Sequence, residues 1–176
     1  MGEYTNTRLL RDVLTEAGFR FSTPPNTGTV PGSPDSTTLS FADSGNGSWT
    51  VFIFSYRHAA NLRFYSYIGQ AFGAQPDHIL EIINYINATY LFESSIDYFK
   101  PANIIRYKAV FRGVGIGLPA FEAQKAIDHH MTCSSYLHEL LLLAIRSSEA
   151  NPELAVNSNI AEVNKKLNLS APPYFP

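Results

Sequence analysis

The sequence predicts an α+β protein: an antiparallel sheet of about five strands with helices packed on one face. Three observations predict it. Residues 37–68 carry three segments rich in Val, Ile, Thr, Phe and Tyr, separated by short turn-forming runs, which is the pattern of a meander. Residues 76–112 read as an apolar helix followed by two strands around a tight turn. Residues 119–146 hold the longest apolar stripe of helical period. Sheet segments and helical segments in this order fit one layer of each.

The first helix is expected over residues 7–17, where Leu9, Leu10, Val13, Leu14 and Ala17 recur at helical spacing. Asn6 or Thr7 caps its start, and Gly18 stands where a left-handed residue ends a helix cheaply. A short strand fits 19–22, and the Pro-, Gly-, Ser- and Thr-rich run 23–36 is a loop. Strands follow at 37–42, 49–56 and 62–68; near-continuous apolarity in WTVFIFSY marks the middle one as central. Pro76 and Asp77 suit a helix start, and Ile79, Ile82, Ile83, Ile86 and Tyr90 mark its buried face. Two more strands are expected at 94–99 and 104–112, with Gly113, Gly115 and Gly117 in the corner beyond.

Pro119 opens the long helix, whose stripe is Phe121, Ile127, Met131, Leu137, Leu140, Leu141, Ala144 and Ile145. Asn151 and Pro152 stop it. A last amphipathic helix carries Leu154, Ile160, Val163 and Leu167, with Asn159 and Glu162 spaced as a capping box, before a proline-rich tail. The expected organisation is therefore a domain over 6–147 and a helical extension with tail over 148–176.

The 176 residues suffice for a core without disulfides or metals, and 45% hydrophobic with 16% charged residues is a globular composition. A net charge of −2 with scattered Lys and Arg argues against nucleic acid as the main partner. No apolar run is long enough for a membrane span and the start lacks a secretory pattern, so a cytoplasmic protein is expected. No cofactor is expected.

Few polar residues form chemistry-bearing patterns. His129 and His130 point about 100° apart on a helix, and His130 and His138 lie two turns apart, so neither pair makes a metal site. His58 and His78 are expected to be solvated. Cys133, the single cysteine, would be a nucleophile only if His129 or His130 lowered its pKa; a small buried residue is the plainer reading. Glu81, Glu93, Asp97, Glu122, Asp128 and Glu139 read as solvated charges. Asn84 and Asn87, one turn apart at the edge of the buried face, are expected to fix the junction between helix and hairpin.

A leucine-rich helix ending in Gly-Phe, then LRFYSYI, then INYINATYLFESSIDY and IIRYKAVFRGVGI before a long helix, in this order, resembles the YbjN family over residues 6–147. That family is similar in fold to the type III secretion chaperones. The resemblance implies a small, homodimeric, non-enzymatic bacterial protein that holds segments of client proteins or modulates regulators, and it brings no catalytic residues. The 23–36 loop and the added carboxy-terminal helix depart from the family pattern.

The long helix has leucines at 140–143, more apolar circumference than one sheet face needs, so Met131, Tyr136, Leu140 and Leu143 are the candidate partner or dimer surface. The alternatives are a small-molecule pocket lined by Trp49, Phe52 and Tyr65, and an enzyme built on Cys133 with His129 or His130.

Overall fold

The computed structural model describes residues 5–23, 35–43, 47–55, 61–70, 76–112 and 120–175. His58, the glycines at 113, 115 and 117 and most of the expected 23–36 loop lie outside them, as does the side chain of Trp49. The elements are α1 (Thr5–Glu16), β1 (Phe21–Ser22), β2 (Asp35–Asp43), β3 (Gly47–Ser55), β4 (Asn61–Gln70), α2 (Pro76–Thr89), β5 (Ser95–Phe99), a short 3-10 turn (Lys100–Ala102), β6 (Ile104–Arg112), α3 (Ala120–Arg146), α4 (Pro152–Asn157) and α5 (Ile160–Lys166). The fold is α+β with an open antiparallel sheet in the order β1-β2-β3-β4-β6-β5. The sixth strand is β1, whose Phe21 and Ser22 pair with Leu39 and Thr38 and give β2 a neighbour.

The chain forms two compact units, each drawn from two stretches of sequence: Met1–Ser66 with Ala109–His130, and Tyr67–Lys108 with Met131–Pro176. The expected boundary near residue 148 therefore coincides with neither, because the last stretch is part of the second unit's own core.

In the first unit, α1 buries Leu10, Val13 and Leu14. Its end is a Schellman cap: Phe19 N–H bonds Leu14 O and Gly18 N–H bonds Thr15 O, with Gly18 at φ +74°. Strand alternation then sets the sheet's inner face. Val51, Ile53, Leu62 and Phe64 are buried, while Phe52, Phe54 and Tyr65 are half-exposed and Arg63 is exposed. Phe52 stands opposite Tyr65 in the register, on the face away from Val51 and Ile53, so these two do not line an interior pocket. Ala123, Ala126 and Ile127 of α3 complete the core. Phe121 departs from the expected stripe: it is 64% exposed, with Lys125 Nζ over its ring, because the small Ala123 is the residue buried on that turn.

In the second unit, α2 buries Ile79, Ile82, Ile83 and Ile86, as its spacing predicts. Ile96, Ile105 and Tyr107 turn the same strand face inward. From α3 come Cys133, Tyr136, Leu137, Leu140, Leu141, Ala144 and Ile145. The final amphipathic stretch is two short helices instead of one. Asn151 caps α4 by accepting from Leu154 N–H. Asn159 does not make the expected capping box, because its backbone continues in helical geometry and its side-chain amide reaches back to Ala155 O. Ala155, Val156, Val163 and Phe175 are buried in this unit.

Candidate functional site

The site is built where α2 ends. Past Ile86 the helix places Asn87 beside β5, which is last in the sheet order and so, among the described residues, has one edge without a strand neighbour. The Asn87 amide supplies both missing partners: Nδ2 donates to Ile96 O at 2.9 Å and Oδ1 accepts from Ile96 N–H at 2.8 Å. Asn84, one turn earlier, is exposed instead and faces an open groove.

Beside this junction, Ile86 and Tyr90 face Tyr136, Leu137 and Leu140 of α3 and Ile160 of α5 across an apolar groove. The groove is filled by the chain itself. Pro172 and Phe175 complete its lining, and no room for a water molecule remains among these side chains. Phe175 is 4% exposed, its ring edge-on to Tyr136 at 6.0 Å between centroids. The neighbouring Tyr174 turns its ring outward, and its carbonyl accepts a long hydrogen bond from Cys133 Sγ at 3.6 Å. Two polar links hold the rest of this stretch. Asn157 accepts from Tyr90 Oη at 2.7 Å and donates to Tyr85 Oη at 3.1 Å. Lys166 Nζ bonds Glu139 Oε2 at 2.6 Å.

Of the candidate surface, Tyr136 and Leu140 are therefore interior, 1% and 2% exposed, because residues 148–175 cover the α3 face that carries them. Met131 and Leu143 are half-buried. Glu139, expected to be solvated, is 6% exposed and held by Lys166. The Tyr136 hydroxyl is buried with no hydrogen-bond partner among the described residues. Burial, with Tyr90 beside it, pushes its pKa up to about 12. Sequence reasoning missed Phe175 and Asn157. The visible signal for the first was an aromatic pair placed directly after two prolines.

The other chemistry-bearing residues are settled by burial. Cys133 is fully buried, and desolvation pushes its thiol up to about 11 against a hydrogen bond with Tyr107, so it stays protonated near neutral pH. His130 is 1% exposed, with Nε2 2.8 Å from Ser66 Oγ and Phe64 against its ring. Desolvation, with His129 adding repulsion, lowers its pKa to about 3, so the ring is neutral. His138 uses Nδ1 on Ile68 O. No group of three or more His, Cys, Asp or Glu stands together to hold a metal among the described residues.

Asp97 lies on the outer strand face, clasped by Arg106 in two bonds of 2.8 and 2.7 Å and by Lys108. Partial burial works against its charge, but the hydrogen bonds from Arg106 and Lys108 outweigh it and hold the carboxyl below its usual range.

The second unit also has an open groove of about 740 Å³ beside α2, lined by Glu81, Asn84 and Tyr85 and by residues 150–153. Its lining mixes an aromatic ring, two amides and two carboxylates. Among the described residues no helix is long and apolar enough to cross a membrane. No family model, curated protein or solved structure matches this chain.

Proposed function

We propose that this chain is a non-enzymatic protein-binding module, a chaperone-like protein or regulatory adaptor that holds an extended segment of a client or regulator. The observation that supports this reading is the groove between α2 and α3, which holds a non-helical aromatic segment of the chain itself. Docking of a proline-containing segment in an aromatic-lined groove is an established way to capture a peptide. The open groove beside Tyr85 offers a partner further surface next to the same helix.

The test is a photo-crosslinking amino acid at Leu154, which is 53% exposed and adjoins the Glu153 wall of the open groove. The same group at Arg8, exposed on α1, is the control. Retrieval of a discrete partner at Leu154 and not at Arg8 supports the reading. Equal retrieval at both positions, or none at either, sinks it.

A further inference from the structure

We propose that residues 172–175 are an internal peptide ligand, and that the groove they fill takes in their place a partner segment of the same chemistry: an extended stretch in which prolines precede a buried aromatic side chain. This rests on the capture reading above and names the kind of segment captured.

The chain delivers this segment by a deliberate stop. Asn168, at φ +54°, ends α5 in a left-handed cap, with Leu169 N–H on Asn164 O and Asn168 N–H on Lys165 O. Pro172 and Pro173 then restrict the backbone through their fixed φ, which lowers the entropy lost when the segment docks. The manner of holding is that of a ligand. One side chain, Phe175, is sunk to 4% exposure while its neighbour Tyr174 is 73% exposed. The backbone anchor is a thiol bond at 3.6 Å, long and weak compared with the amide pairs that tie Asn87 to Ile96.

The Tyr136 ring lines the groove, and its buried hydroxyl lacks a partner among the described residues, a desolvation cost that the docked segment leaves uncompensated. A partner segment that binds without adding to that cost competes on its own contacts. It displaces the tethered segment only when its concentration exceeds the high effective concentration that tethering gives.

Cys133 provides the readout, since it is the chain's single cysteine, is fully buried and touches the segment through Tyr174 O. Its labelling by a thiol reagent reports release of the segment from its place beside Tyr136. In Phe175→Ala, with an unchanged far-ultraviolet circular dichroism spectrum, labelling is expected to be about tenfold faster or more, as for a groove closed at least nine-tenths of the time in the native chain. A saturating synthetic peptide, Ala-Pro-Pro-Tyr-Phe, is expected to restore slow labelling, and the same peptide ending in Ala is not.

Phe175→Leu, which keeps an apolar plug, is expected to fall between and carries the same test if the alanine variant loses its helical signal. Peptide that protects Cys133 in neither variant overturns the proposal, as does a labelling rate that both substitutions leave unchanged. The outcomes separate from those of the crosslinking test. Peptide protection with no partner retrieved at Leu154 upholds the internal ligand and sinks partner capture. A discrete partner that the peptide never displaces, with Cys133 unprotected, does the reverse.

Discussion

Asn87 and His130 show how single polar residues constrain this chain. Asn87 closes both backbone groups of Ile96, so Asn87→Ala leaves a part-buried N–H and C=O without partners. A loss of about 1–3 kcal/mol is expected in chemical denaturation. A change within experimental error would mean that water replaces the amide freely. His130 is held neutral in the fold, with a pKa of about 3 against 6.5 ordinarily. The unfolded chain takes up a proton near pH 6.5 that the folded chain does not. This contribution to stability is therefore complete above pH 6.5 and is lost as pH falls toward about 3, with a slope of at most about 1.4 kcal/mol per pH unit. Denaturation midpoints between pH 7 and 5 are expected to fall less steeply in His130→Gln than in the native chain. Equal slopes would place the imidazole in contact with solvent.

At the scale of elements, the end of α1 makes the sharpest prediction. Gly18 is at φ +74° and a Cβ there would meet nothing within 4 Å, so the cost of Gly18→Ala is backbone strain alone. About 1 kcal/mol of destabilisation is expected, measurable as a shifted denaturant midpoint with an unchanged slope. This cap was legible in the sequence because everything it needs lies within a few residues. The hairpin of β5 and β6 and the inner face of α2 were legible for the same reason, as alternation and helical spacing are local patterns. Glu139 was not. It looks like any solvated carboxylate on a helix, and its buried state depends on Lys166, 27 residues further on. Tyr136 and Leu140 failed in the same way. A stripe shows that a helix face is apolar, but not whether the sheet, another chain or residues 148–175 cover it. Phe121 erred in the opposite direction, since the turn that carries it buries an alanine.

For the molecule as a whole, the role of residues 148–175 decides between an appendage and a structural part. Val156, Val163 and Phe175 are each at most 4% exposed, and they lie in the same compact unit as α2 and the second half of α3. Burying such side chains stabilises by about 1.5–3 kcal/mol each. Three of them then contribute roughly 5–9 kcal/mol as an upper bound, comparable to the whole stability of an ordinary domain. A chain ending at Ser147 would lose this and also uncover Tyr136, Leu137 and Leu140. It is expected to melt far lower than the full chain or not to fold, and to bind a dye that senses apolar surface. An appendage would behave differently, because its removal would leave the melting temperature within a few degrees. Phe175→Ala removes only the last anchor and is expected to retain the fold, so the two variants together separate the covering helices from the displaceable segment. If truncation at Ser147 and Phe175→Ala destabilise equally, the segment is itself the keystone of the unit and cannot leave the groove without unfolding it.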